Sequence, residues 1–174
     1  MGFSVTATGI IVIVVLLIAV ASSITLIMKA FSETIKGIQA VGEAEKHRLE
    51  SIMFIRWAVI NTTDNRTVYF SFSNNGTLDY YSFDSFDLII SYEDLESRSI
   101  RTVRLEYNVS WWIINVTVNG DYTFSFAEKR CVEPSESAVV KAVLPSEANV
   151  SSPIKIVFVN QYGSRAIYKF VGGG

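Results

Sequence analysis

Ile10-Ile11-Val12-Ile13-Val14-Val15-Leu16-Leu17-Ile18-Ala19-Val20 is an unbroken apolar run, and Ala21-Ser22-Ser23-Ile24-Thr25-Leu26-Ile27-Met28 lengthens it with only small hydroxyl side chains interposed. A helix needs about 20 apolar residues to cross about 30 Å of hydrocarbon. Residues 9–28 meet that requirement. A helix also closes its backbone hydrogen bonds within itself, so lipid meets no unpaired peptide group. No Asp, Glu, Lys, Arg or His occurs before Lys29. These features predict a single membrane span. A cleaved secretory signal would want a basic leading region and a shorter apolar core, whereas Met1 to Gly9 contains no Lys or Arg. A buried core helix of this length would need a larger domain around it. A pilin-like stem, first anchored in the membrane and later packed in a filament, is the rival reading. Pilin precursors carry a short basic leader, and none precedes the span here, so Met1 or Gly2 is expected as the native amino terminus.

The 174 residues carry a net charge of −2. That balance offers no basic excess to collect phosphates, so nucleic acid is not an expected partner. The single cysteine, Cys131, excludes an intramolecular disulfide framework. It is expected as a small buried hydrophobe.

Beyond the span the pattern stays helical to about Met53. Phe31, Ile35, Ile38, Leu49 and Ile52 fall at heptad a and d positions, with Gly42 and Glu45 as the off-pattern sites. Glu33, Lys36, Glu43, Lys46, Arg48 and Glu50 lie mostly on other faces. The span is therefore expected to continue as an amphipathic stalk, residues 1–53 forming one unit. The stripe suits either self-association or packing on the chain's own distal domain. His47, the one histidine, sits among charges and reads as a solvated helix residue.

From residue 54 to 174 the periodicity changes to two. Val68, Phe70 and Phe72 alternate with Tyr69, Ser71 and Ser73, and Ile154, Ile156 and Phe158 alternate with Lys155, Val157 and Val159. Similar runs surround Val103, Ile113, Tyr122 and Ile167. Asn75-Gly76 and Asn119-Gly120 are tight-turn signals, because both residue types tolerate positive φ. Gln161-Tyr162-Gly163-Ser164 divides the last two runs. Roughly eight strands at this spacing predict an antiparallel, immunoglobulin-like sandwich. The fold class is therefore α+β: a long amino-terminal transmembrane helix and stalk, then an all-β sandwich.

Enzyme signatures are missing. There is no Gly-rich phosphate loop, His-Glu-x-x-His, Gly-x-Ser-x-Gly or cysteine pair for zinc. Asp84, Asp87, Glu93 and Asp94 cluster in sequence, but their spacing fits no calcium loop, and solvated turns account for them. No catalytic residue, metal site or cofactor is expected. What does recur is Asn-x-Ser/Thr, beginning at Asn61, Asn65, Asn75, Asn108, Asn115 and Asn149. Chance supplies about one such triplet per 150–200 residues. Six downstream of one span point to N-glycosylation, and hence to a domain outside the cell. Lys29 and Lys36 would weakly favour the opposite topology. The six sequons outweigh them.

Met1-Gly2-Phe3-Ser4-Val5 followed by an uncharged span resembles the archaellum stator proteins F and G, components of the archaeal flagellum. Phe72-Ser73-Asn74-Asn75-Gly76-Thr77, leading through Phe83 and Phe86 to Asp87-Leu88-Ile89, is similar to a stretch of that family. Val132-Glu133-Pro134-Ser135-Glu136 resembles its Pro-Gly-Glu connection, with Ser135 in place of the glycine. Phe158 to Gly163 with Tyr168-Lys169-Phe170 resembles its terminal hairpin. Archaellins and type-IV-pilin-like proteins share the architecture. The resemblance implies a motility role without catalysis: a cell-membrane protein whose carboxyl-terminal domain stands in the pseudo-periplasm or at the surface, linking the membrane to the surface layer (S-layer). Expected partners are the membrane, surface-layer or appendage proteins, and further copies of the chain. A filament subunit is the first alternative. A glycosylated adhesin is the second, with Tyr80, Tyr81, Trp111 or Trp112 as stacking platforms. One member of each aromatic pair is expected in the core, since neighbours on a strand face opposite sides.

Overall fold

Helix α1 runs from Gly2 to Glu50 without interruption. The computed structural model describes residues 2–172, with side chains from Gly9 onward, so the expectation for Met1 lies outside the described residues. The chain divides after Ala44 into two compact units.

The first unit is helix alone. Its apolar stretch is long and uncharged enough to cross a membrane. The hydroxyls within it do not weaken that reading. Ser22, Ser23 and Thr25 donate to the carbonyls of Ile18, Ala19 and Ala21, each four residues back, at 2.8–2.9 Å. Their polarity is thereby absorbed inside the helix. Phe31, Ile35 and Ile38 are exposed along the predicted stripe. The helix stops at Glu50, so Ile52 lies beyond it rather than on the stripe.

The second unit is a sandwich of two antiparallel sheets. Its strands are β1 (Met53–Ile60), β2 (Thr67–Asn74), β3 (Asp87–Glu93), β4 (Ile100–Leu105), β5 (Trp111–Val118), β6 (Tyr122–Ser125), β7 (Ser137–Val143), β8 (Pro153–Val159) and β9 (Arg165–Val171). One sheet has the order β1-β2-β7-β5-β6, the other β4-β3-β8-β9. The predicted α+β class holds: an apolar helix, then a β-sandwich. Nine strands are described where about eight were expected. Strand β7 turns only Ala138, Val140 and Ala142 inward, a weak apolar pattern beside the aromatic runs.

Phe158 on β8 ties the sheets together. Its ring lies 5.3 and 5.1 Å from those of Phe70 and Phe72 on β2, 5.4 Å from Trp111 on β5 and 5.4 Å from Phe86. Three of these contacts are edge-on, the geometry ring quadrupoles favour. Trp111 and Tyr80 are fully buried, whereas Trp112 is half-buried and Tyr81 exposed. Each aromatic pair splits between interior and exterior, Trp111-Trp112 by strand alternation and Tyr80-Tyr81 in the β2–β3 connection, where Tyr80 bridges to Val132.

Three local expectations need correction. Asn119-Gly120 does turn the β5–β6 hairpin with positive φ at both residues, but Asn75-Gly76 makes no hairpin. Strand β2 already has β1 and β7 on its two sides, so the chain leaves it for the other sheet. Asp94 is buried rather than solvated. Ser146 Oγ donates to its Oδ2, and Ser97 donates to Oδ1 through both its backbone N–H and its hydroxyl. These donors, Ser146 first, hold its pKa well below the usual carboxylate range. Cys131 is half-buried rather than packed in the core; desolvation, and then the nearby Glu133, raise its thiol pKa.

Ser135 has φ +70, the left-handed conformation that glycine adopts freely. A side chain there costs about 1–2 kcal/mol. Ser135→Gly is therefore expected to stabilise the sandwich by about 1 kcal/mol, read from the denaturant midpoint of the full chain in detergent.

Candidate functional site

The structure concentrates its buried polar contacts where α1 ends and β1 begins. A helix leaves its last carbonyls without intrahelical donors, and here the carbonyl of Glu50, the last helical residue, enters a protein interior with those of Ser51 and Ile52 just beyond it. Glu50 carbonyl accepts from Thr77 N–H at 2.8 Å, and Ile52 carbonyl from Asn75 N–H at 2.8 Å. Ser51 is fully buried. Its carbonyl accepts from Tyr80 hydroxyl at 3.0 Å and from Asn160 Nδ2 at 3.0 Å. Its own hydroxyl donates to Arg48 carbonyl at 3.2 Å.

Each clamping group is itself held. Asn160, at the end of β8, accepts Tyr162 N–H and Ser164 N–H on Oδ1, both at 3.0 Å. Tyr80 forms a two-way backbone bridge with Val132. Asn74 Nδ2 donates to Leu78 and Val132 carbonyls, while its Oδ1 accepts Gly76 N–H. Gly76 is dictated by proximity: a Cβ there would stand 2.2 Å from Glu50 O and 2.7 Å from Ile52 N. Asn75-Gly76 thus serves a close approach of backbones, not the turn predicted for it. Below this layer, Glu136 is almost fully buried, pairs with Lys129 and accepts Glu133 N–H at 2.8 Å.

His47, exposed as expected, lies with its ring 5.9 Å from that of Tyr162, whose hydroxyl donates to Asp79 carbonyl at 3.2 Å. Nothing in this cluster pairs a nucleophile with a base. Among the described residues no group of three or more His, Cys, Asp or Glu side chains is placed to hold a metal. The arrangement fixes the end of α1 to the sandwich through backbone carbonyls.

Of the six sequon asparagines only Asn75 belongs to the clamp, through its backbone N–H. Asn61 and Asn65 lie on the β1–β2 loop, Asn108 on the β4–β5 turn and Asn149 on the β7–β8 connection. These loops are laced together by Ala148 N–H to Asn65 carbonyl, Leu144 N–H to Arg66 carbonyl and Val143 N–H to Ser110 carbonyl, each at 2.8–2.9 Å. They form the end of the sandwich opposite the Ser51 clamp. Asn75 is exposed at the clamp end, and Asn115 is on the β5 strand. Asn149 Nδ2, the atom a glycan would need, donates to Glu93 and to Ser152 Oγ, both at 3.1 Å.

No family model matches the chain, and no curated protein matches it. Solved structures do. The fold is shared with the archaeal flagellum of Methanospirillum hungatei strain JF1. That superposition has a TM-score of 0.56 at 12% identity and covers 96% of this chain and 93% of the other. The archaellum periplasmic stator protein FlaG from Sulfolobus acidocaldarius overlaps at a TM-score of 0.49 and 15% identity, over 69% of this chain and 99% of that one. The stator complex of FlaF and FlaG from the same organism gives 0.49 and 15%, over 68% and 87%. The superposition on the archaeal flagellum extends the resemblance to archaellum proteins seen in sequence to three dimensions, where it is one of fold.

The clamp was not legible in the sequence. Ser51, Tyr80 and Asn160 are scattered polar residues, and 109 positions separate Ser51 from Asn160. Gly76 was visible, but as the wrong device.

Two substitutions test the clamp. Gly76→Ala forces two backbones apart and is expected to cost about 1–3 kcal/mol or more, measured by chemical denaturation. Tyr80→Phe deletes one hydroxyl from carbonyls that keep another donor, at about 1 kcal/mol. Burial pushes the Tyr80 pKa from 10.0 up to about 12. A folded pKa above the unfolded one favours the protonated native state. The stability this confers is complete below pH 10 and is lost as pH rises toward 12. Wild type should therefore lose more stability than Tyr80→Phe across that window.

Proposed function

We propose that this chain is a membrane-anchored structural component of an archaeal surface motility appendage, acting as a stator or anchor between the membrane and the surface layer. Residues 9–28 cross the membrane, and the sandwich stands outside it. The work is mechanical and no reaction is catalysed. The observation that carries this reading is the uninterrupted passage of α1 into the Ser51 clamp. No Gly- or Pro-rich linker intervenes to absorb load. Outside placement is supported by the six sequons, all downstream of the span, and glycans on them would be borne on the exterior face. Expected partners are surface-layer or appendage proteins and further copies of the chain.

A filament subunit is the second reading. It is favoured by the Methanospirillum likeness, which takes in 96% of this chain. One substitution separates the two. Proline at Ile38 removes a helix donor and clashes with the preceding turn, at about 3 kcal/mol or more locally. The sandwich has its own core and should persist. In cells lacking the native gene, complementation with Ile38→Pro is expected to leave filaments assembled and swimming lost or weakened. Absence of filaments, with the variant still in the membrane, would instead identify a filament subunit. Full swimming would refute load transfer through the stalk.

A further inference from the structure

Strand register divides the residues of the five-stranded sheet between core and exterior. Trp111, Ile113 and Val116 of β5 pair with Ala142, Val140 and Ala138 of β7, all buried in the core or nearly so. Continued alternation would turn Asn115 inward after Ile113. A β-bulge between Ile113 and Asn115 prevents this. Ile114 is the extra residue, and the bulge resets the phase so that Asn115 and Thr117 face outward with Trp112. An uncompensated amide in the core is avoided, and a complete Asn-Val-Thr sequon is presented on the sheet exterior.

The surroundings of Asn115 suit a sugar. Its cross-strand neighbours are Val139 and Ser125, and Trp112 occupies the next outward rung opposite Lys141. Adjacent outward rungs are about 7 Å apart, within reach of a ring linked to Asn115. Trp112 is half-buried, offering an apolar surface beside a polar group. Among the described residues the Asn115 amide forms no hydrogen bond, in contrast to the engaged amide of Asn149. Trp57, Ser71 and Val139 continue the row of Asn115, and Lys141 is the one charged residue in this row and the Trp112 row together. The outward positions of the other sheet carry Asp87, Glu93, Arg104, Lys155, Arg165 and Lys169. Across these two rows the five-stranded sheet is the less charged of the two exteriors, with Arg56 of β1 exposed beside them at the β1 bulge.

We propose that Asn115 carries an N-linked oligosaccharide whose first sugar lies over Trp112 and covers this weakly charged face. The inference rests on placement of the sandwich outside the cell. The donor is a lipid-phosphate-linked oligosaccharide. Asn115 Nδ2 forms a bond to the anomeric carbon and loses one proton. The bond from that carbon to the phosphate oxygen breaks, its electron pair leaving with the lipid phosphate.

The full chain, purified in detergent from its native host, provides the test. Glycopeptide mapping is expected to find Asn115 occupied. Thr117→Ala should remove that glycan and lower Tm by several degrees, whereas Thr117→Ser should retain both glycan and Tm. The Thr117→Ala loss should shrink markedly when Trp112 is replaced by Ala, or by Leu where Ala prevents folding. A bare Asn115 with other sequons occupied overturns this inference alone. Six bare asparagines overturn the sequon support for outside placement as well. An occupied Asn115 whose Tm loss is unchanged without Trp112 overturns the covering contact.

Discussion

Backbone carbonyls at a helix end must find donors once water is excluded, and this requirement organises the protein around Ser51. Ser51 hydroxyl caps only the Arg48 carbonyl. The donors come instead from Thr77, Asn75, Tyr80 and Asn160, on segments distant in sequence. Loss of any of them leaves a buried acceptor short of a partner, a cost of about 1–3 kcal/mol where none remains. The sandwich can supply them because Asn74, Asn160 and Tyr80 are each immobilised by other bonds.

The same reasoning explains where the sandwich tolerates irregularity. Gly76 gives up its side chain so that two backbones can meet. Ser135 accepts a left-handed conformation beside Asn74, whose carbonyl takes its N–H at 2.8 Å. The strain at Ser135 is tolerated because the connection must turn there to bring Glu136 against Lys129 and Glu133. Asp94 does comparable work at the opposite end, where one buried carboxylate gathers Ser97 and Ser146 from two loops. Polar side chains organise both ends, while the centre is aromatic packing about Phe158. The proposed mechanical role fits that division, since directional bonds at the ends resist displacement and a close-packed centre transmits it.

Much was legible from pattern alone. An uncharged apolar run of this length specifies a helix long and apolar enough to cross a membrane, and α1 is continuous through it. Alternation around Phe70, Ile156 and Ile167 specifies strands because successive side chains point to opposite faces. Asn119-Gly120 was read correctly since a local turn depends on local conformational preference. Asn75-Gly76 was not, because the same dipeptide serves any site where a side chain is unwelcome, and only its neighbours reveal which. Asp94 looked solvated because carboxylates usually are. Its burial depends on Ser146, 52 residues away.

Sequence by itself determined the class of the protein: one apolar helix, then a β-rich domain bearing six sequons. Those properties follow from residue type and short-range period, which need no knowledge of the fold. Tertiary structure alone decided that β7 inserts between β2 and β5, that Ser51 is gripped from positions as distant as Asn160, and that a bulge turns Asn115 outward. Strand order and register are set by which distant surfaces bury each other best, and such pairings leave no mark in any short window of the chain.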